Sequence, residues 1–600
     1  MEKIIGLATL GTVVLNSPAW AEQPLFVVYP PAEHETTAPQ IFLIGTAPTE
    51  GEVLVNGNRI SRSRAGHFAP SFPLQLGENI FILRYQDQEL QIKVTRKSTA
   101  PPVPVGMAFA EGSLKPAVDI ARMPGDRVCF GAIAPTNAQV SVQLGNEIIT
   151  LGPQPQDIQL PPNSAVLTGE NQPNFLEEAG SQYTGCTALP LVENRRINLG
   201  QPRFQLRVND RSMTQLGPGK ISVLSGTQFE IAEVIVDSGT ARTGPSTNYS
   251  RLTPLPKGTR SAITGREGEW LRLDYGAWIR SKETRILSSS VPPTSLIRSV
   301  RARQKLGWTE VLFPLQVPVP VSVEQRTDSI TLSLYNTTAQ TDTIFFNDDP
   351  LIARLDWQQA SPTQLKYIFE IKGGQQWGYK LRYEGTTLIL SLRHPPQVKG
   401  RGRKPLSGMR ILLDPGHGSE NDLGARGPNG YPEKDVALII SQLLAEQLRR
   451  RGATVIMTRE GDDDLWPHDR VEIIERTEPD LALSLHYNAL PDSGDAIGTA
   501  GIGSFWYHPQ AHSLAVFLHN YLVAERERPS YGVFWNNLAL TRPSVAPAVL
   551  LELGFMINPV EFEWIVNSRE QKKLAHTLAD GIVQWVKPKL AKRSLVIYPR

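Results

Sequence analysis

Ile411-Leu-Leu-Asp-Pro-Gly-His-Gly-Ser-Glu420 is a short apolar run that stops at Asp-Pro-Gly and presents a histidine from a tight turn. Beyond it, apolar runs of similar length alternate with longer amphipathic segments, the pattern of parallel strands joined by helices. Strands are expected at 410–414, 453–458, 480–486, 503–507 and 548–553. A helix is expected over 434–451, where Val436, Ile440, Leu443, Leu444 and Leu448 share one face at helical spacing. Glu433 and Asp435 at its start suit the positive end of a helix dipole. The last third of the chain therefore reads as an α/β domain with a mostly parallel sheet.

In open α/β sheets a site forms beyond the carboxyl ends of the strands. His417 follows the first expected strand and His486 closes Asp480-Leu-Ala-Leu-Ser-Leu-His. Glu552 lies near the end of Ala548-Val-Leu-Leu-Glu, and Glu433 opens the first helix on the same edge. Singly, each has an ordinary reading: His417 is a turn residue and Glu433 a helix-start carboxylate. An imidazole that ends a buried strand nevertheless needs a partner. A carboxylate among Val, Leu and Phe needs a cation or a proton. Two histidines and one glutamate are the ligand set of a catalytic zinc, which keeps a fourth position open for water. A second glutamate can act on that water without binding the metal. His508-Pro-Gln-Ala-His512 also has i,i+4 spacing, but Pro509 and the lack of an adjacent glutamate argue against a helical zinc motif. It reads as a strand-to-helix junction with exposed imidazoles.

These residues, in this order and context, resemble the zinc-dependent N-acetylmuramoyl-L-alanine amidases of the amidase type 3 family, over residues 408–588. The resemblance implies a Zn2+ ion held by His417, Glu433 and His486, with Glu552 as the catalytic acid–base residue. It implies peptidoglycan as substrate, cut between the lactyl group of N-acetylmuramic acid and L-alanine. Septal splitting, wall turnover and opening of cell-to-cell channels all fit that chemistry. Arg459 and Arg470 match the family pattern as residues that support or pair with carboxylates near the site, and Asn488 is a further supporting candidate. Tyr487 stands where the family commonly carries a small residue, a change expected at the pocket wall. A non-catalytic envelope adaptor and a different zinc peptidase are the competing classes. Some relatives carry an inserted helix after the second histidine that plugs the site. Here residues 489–502 hold one proline and three glycines, costing about 3 and about 1 kcal/mol each in a helix. An isolated 405–590 domain is therefore expected to act without an activator, the β modules mainly governing where it acts.

The start of the chain reads as an export signal: Lys3, an apolar centre from Ile4 to Leu15, and Ala19-Trp20-Ala21 as cleavage site, giving a signal peptide over 1–21. That centre is too short for a membrane span of roughly 20 residues. No transmembrane anchor is expected after cleavage, and the place of action is the periplasm or cell envelope. Lys+Arg of 61 against Asp+Glu of 59 leaves a net charge of +2, which argues against nucleic acid as a partner. The two cysteines, Cys129 and Cys186, leave open whether they pair.

Ahead of the α/β domain the chain reads as β-rich. Gln40-Ile-Phe-Leu-Ile-Gly45, Gly51-Glu-Val-Leu-Val-Asn56 and the Asn-Gly turn at 56–57 suggest an immunoglobulin-like module over 25–97. Ile44-Gly-Thr-Ala-Pro-Thr49 is echoed by Gly131-Ala-Ile-Ala-Pro-Thr136, suggesting a second module over 105–222 with an irregular excursion at 153–200. Ala241-Arg-Thr-Gly-Pro-Ser-Thr-Asn-Tyr249, Gly268-Glu-Trp-Leu-Arg-Leu273 and Ala277-Trp-Ile-Arg280 resemble a bacterial SH3 domain over 226–288, with Trp270 and Trp278 as core or ligand contacts. Period-two alternation in 327–335 and 383–392 suggests a further β domain over 295–395, similar to the localisation domains ahead of envelope amidases. Residues 396–407 read as a solvated basic hinge. Other envelope polymers or septal proteins are the partners expected for these modules.

Overall fold

The structure is a computed structural model that describes residues 24–591 except 100–103, 105, 155–157, 169–173, 176–180, 192–194 and 401. The expected signal peptide lies outside the described residues, as do parts of the 153–200 excursion. Among the described residues no helix is long and apolar enough to cross a membrane.

The first two-thirds are β-rich, as the alternating patterns require. Residues 26–96 form sheets of five, three and two strands around Leu43, Val55, Phe68, Leu83 and Val94. Next comes a six-stranded antiparallel sheet in which Cys129 and Cys186 are register partners and form a disulfide. The boundary expected at 222–226 is no break. Ile120–Arg122 pairs with Ile221–Val223 on one side and with Arg260–Glu267 on the other, so one sheet runs across it. Trp270 and Trp278 are both buried under arginines, Arg280 over Trp270 and Arg122 over Trp278, so both are packing residues. Residues 295–393 form two sheets, of five and four strands, closed over Val311, Leu332, Phe369 and Leu390.

The C-terminal unit holds strands β1 (Arg410–Pro415), β2 (Thr454–Met457), β3 (Leu481–Asn488), β4 (Ile502–Trp506), β5 (Ser530–Trp535) and β6 (Ala548–Phe555). Its helices are α1 (Glu433–Arg450), α2 (Pro467–Thr477), α3 (Pro509–Arg526), α4 (Pro559–Ile565) and α5 (Ser568–Ala591). The sheet order is β2-β1-β3-β6-β4-β5, parallel throughout except where β4 meets β6. Ile411, Leu413, Leu483 and Leu551 face α1, α3 and α5, while Leu412, Ala482 and Leu550 meet Ile474 of α2 on the other face. Side chains alternate between the faces. The apolar run of each central strand is therefore continuous because helices cover both sides.

The segment 396–407 is not a solvated hinge. Leu406 is fully buried and its amide donates to the Arg451 carbonyl at 2.9 Å, although Lys399, Arg403 and Lys404 remain exposed. The preceding β domain is also fastened to the α/β unit. Trp377 enters the α/β core beside Trp585, and Arg393 pairs with Asp480 at 2.8 Å with both side chains largely buried.

Candidate active site

The site is built at the carboxyl edge of β1, β3 and β6. β1 ends at Pro415, and His417 then turns back with φ of 60°, a left-handed conformation uncommon outside glycine. Its neighbour Gly416 has no alternative residue: a Cβ there would lie 2.3 Å from the His486 ring. Two buried arginines brace this turn. Arg459 donates to the carbonyls of Pro415 (3.1 Å), Gly416 (2.8 Å) and Lys434 (2.7 Å). Arg470 donates to Asp414 at 2.7 Å and to the His417 carbonyl. Arg470 thus pairs with a carboxylate, whereas the hydrogen bonds of Arg459 go to main-chain carbonyls.

His417, Glu433 and His486 come together, with donor atoms all within 4.8 Å of one another. His417 Nε2 lies 3.0 Å from Glu433 Oε2, and His486 Nδ1 lies 3.1 Å from Glu433 Oε1. The Glu433 carboxylate, buried at the start of α1, also accepts from the amides of Ala425 and Tyr487, each at 2.9 Å. Asp422, which sequence reasoning missed, lies 2.6 Å from His417 Nδ1 and orients the ring. It sits five residues downstream in an irregular loop, where no spacing rule marks it.

Electrostatics follow from burial and pairing. Burial alone would raise the Glu433 carboxyl, yet the two imidazoles hold it far below the ordinary glutamate range. Burial alone would likewise lower His417, but Glu433 and Asp422 hold it up at about 9. His486 is also raised against its burial, chiefly by Glu433. Glu552 differs. Burial pushes its carboxyl up to about 7, opposed by His486 and reinforced by Glu433. Its Oε2 is buried and has no hydrogen-bond partner among the described residues.

Two other expectations, for Tyr487 and for His508, are corrected. Tyr487 does not line the pocket: alternation along β3 turns it into the core, where it is 1% exposed. Asn488 turns its side-chain oxygen onto the Ala489 amide at 2.8 Å and has no described contact with the cluster. His508 is not an exposed imidazole. Its Nε2 donates to the Arg542 carbonyl at 2.7 Å, and burial lowers its pKa to about 4, while His512 is exposed.

A sheet edge carrying two imidazoles and a carboxylate around one point, with a second buried carboxyl beside them, is the equipment of a hydrolytic enzyme. Known proteins narrow the class. A family profile described as N-acetylmuramoyl-L-alanine amidase matches residues 411–584. A germination-specific N-acetylmuramoyl-L-alanine amidase of Bacillus subtilis (strain 168) is 32% identical over 203 residues, 30% of this chain and 81% of that protein. A probable cell wall amidase, LytH, of Staphylococcus aureus is 33% identical over 182 residues, 30% of this chain and 59% of that protein. The crystal structure of an N-acetylmuramoyl-L-alanine amidase from Clostridium difficile 630 is 28% identical, with a TM-score of 0.28, covering 30% of this chain and 97% of that one. The chain belongs to the N-acetylmuramoyl-L-alanine amidase family and is an enzyme of that class.

Proposed function

We propose that this enzyme is a zinc-dependent amidase of peptidoglycan, acting in the cell envelope on the bond between N-acetylmuramic acid and L-alanine. The observation that carries the metal assignment is the donor set itself. Two imidazole nitrogens and a buried, ionised carboxylate converge within 4.8 Å, and beside them stands Glu552, whose Oε2 has no hydrogen-bond partner among the described residues. Such a set fits a divalent cation better than it fits mutual pairing, because both histidines must otherwise stay protonated in a buried site. His417, Glu433 and His486 would hold the ion, whose bound chemistry is polarisation of the scissile carbonyl and acidification of water.

The protein's own contribution is positional and acid–base. The Tyr487 and Ala425 amides fix the Glu433 carboxylate, Asp422 fixes the His417 ring, and the Arg459 and Arg470 brace holds the turn that presents it. Glu552, raised by burial towards neutrality, accepts a proton from the attacking water and delivers it to the departing alanine nitrogen. The β-rich residues support a targeting role, with the immunoglobulin-like, SH3-like and localisation-type identities as their readings.

The test is digestion of purified peptidoglycan with and without chelator, followed by mass analysis. New L-alanine amino termini on intact glycan, lost on chelation and restored by zinc, are expected. New D-amino-acid or diaminopimelate ends would make the enzyme a peptidase.

A further inference from the structure

The first β module reaches the catalytic edge. Phe42, Ile44 and Ala69 share an apolar cluster with Ala496, Phe555 and Ile557 of the α/β unit. The loop after β3 is latched to the same module: Asp492 accepts from the Tyr29 hydroxyl and faces His34 Nε2 at 2.9 Å, and Gln40 donates to the Ser493 carbonyl. Between the two units lies a cleft of about 340 Å³, with Val28, Tyr29 and Ile44 on one wall and Ala425, Arg426 and Leu490 on the other.

The cleft adjoins the candidate metal ligands. Ala425, which lines it, exchanges two main-chain contacts with Glu433: its amide donates to Oε2 at 2.9 Å and its carbonyl accepts from the Glu433 amide at 2.8 Å. Gly424, also on the wall, approaches so closely that a Cβ would lie 2.5 Å from the His417 ring and 2.6 Å from Glu433 Oε2. A substrate whose scissile bond sits at His417 and Glu433 therefore has this cleft beside it as a place for one of its two arms.

We propose, resting on the amidase reading, that the cleft is the subsite for the stem peptide. The first β module forms one wall, and Arg426 is the cation for a free carboxylate on the peptide. The chemistry of the lining selects between the two arms. A glycan is matched by amide and carboxylate side chains that pair with its hydroxyls, and this lining holds neither; the Tyr29 hydroxyl is engaged by Asp492. The lining residues Val28, Ile44, Ala489, Leu490 and Ile557 are aliphatic and suit small side chains such as alanine, beside the rings of Tyr29 and Phe42. Arg426 is the one charged residue of the lining, is exposed, and has no ion pair with a described residue, so its planar fork is free for a carboxylate. The first β module thus determines specificity, beyond any role in localisation.

The test uses the full chain, zinc-loaded, on two synthetic N-acetylmuramoyl tripeptides that differ at the second residue, free α-carboxylate against carboxamide. The wild type is expected to favour the carboxylate by about tenfold in kcat/KM, the scale of one charge-assisted hydrogen bond. Arg426→Ala is expected to abolish that preference, bringing kcat/KM for the carboxylate peptide down to that for the carboxamide. Val28→Trp, which fills the cleft from the module side, is expected to raise KM for both peptides with zinc content and melting temperature held. Equal wild-type rates on the two peptides, or variants that keep wild-type kcat/KM and preference, would overturn the proposal. A loss in Val28→Trp that tracks glycan length instead puts the sugar chain in the cleft and also overturns it. Failure of the wild type to cleave whole peptidoglycan would sink the amidase reading itself, a result read before either variant is made.

Discussion

His486 and Glu552 are register partners on adjacent parallel strands β3 and β6, so a candidate ligand imidazole and a second carboxyl stand on the same face at the same height. Neither position can be moved without sliding a central strand of the sheet. The consequence is a division of labour between two glutamates that mutation can separate.

Glu552→Gln is expected to keep bound zinc and a native melting temperature while losing about 10²–10⁴-fold in kcat, the usual contribution of a positioned acid–base group. Glu433→Gln is expected to lose metal affinity first. Elemental analysis beside steady-state kinetics distinguishes them, and a Glu552→Gln protein of near-normal rate would assign the proton transfer elsewhere.

His417→Ala and His486→Ala are each expected to remove stoichiometric zinc together with activity. Asp422→Ala, which frees the His417 ring without removing a ligand, should weaken metal binding by about 10–100-fold and leave some turnover. A chelator competition series measures all three, and full zinc retention by either histidine variant would refute the ligand assignment.

Trp377→Ala in the full chain should destabilise the α/β unit by about 3–5 kcal/mol, the cost of deleting a buried aromatic, although Trp377 lies outside that unit in sequence. The isolated 405–590 fragment should hydrolyse peptidoglycan without a partner protein, since the loop 489–501 carries no helix. It should also melt below the full chain, because it loses Trp377 and uncovers Ala496, Phe555 and Ile557. Equal melting temperatures by calorimetry would show that these contacts contribute nothing.

His508 gives a pH dependence with a definite sign. Burial lowers its folded pKa to about 4, below the ordinary value of 6.5, so folding favours the neutral ring. The stability it contributes is complete above about 6.5 and is lost as pH falls from there towards 4. His508→Gln keeps a donor for the Arg542 carbonyl but does not titrate in this range. Melting temperatures between pH 7 and 4 should fall less steeply in the variant, and parallel curves would exclude the linkage.

The sequence by itself determined the α/β unit and the residues that gather in it. Apolar runs at 411–413, 481–485 and 548–551 are buried on both faces and so read as parallel strands, and the positions of His417, Glu433, His486 and Glu552 at element ends follow from those runs. Strand β5 was illegible because Ser530–Trp535 is an edge strand with half-buried side chains and no continuous apolar signal. Tertiary structure alone decided whatever depends on pairs distant in the chain. Asp422 orients His417 through a loop without periodicity, Tyr487 turns inward because strand alternation opposes it to His486, and residues 26–46 come to wall a cleft whose other side is more than 370 positions downstream. Local pattern reports which face of an element is apolar. Which partner covers that face is set by packing across the whole chain, and no window of neighbouring residues carries that information.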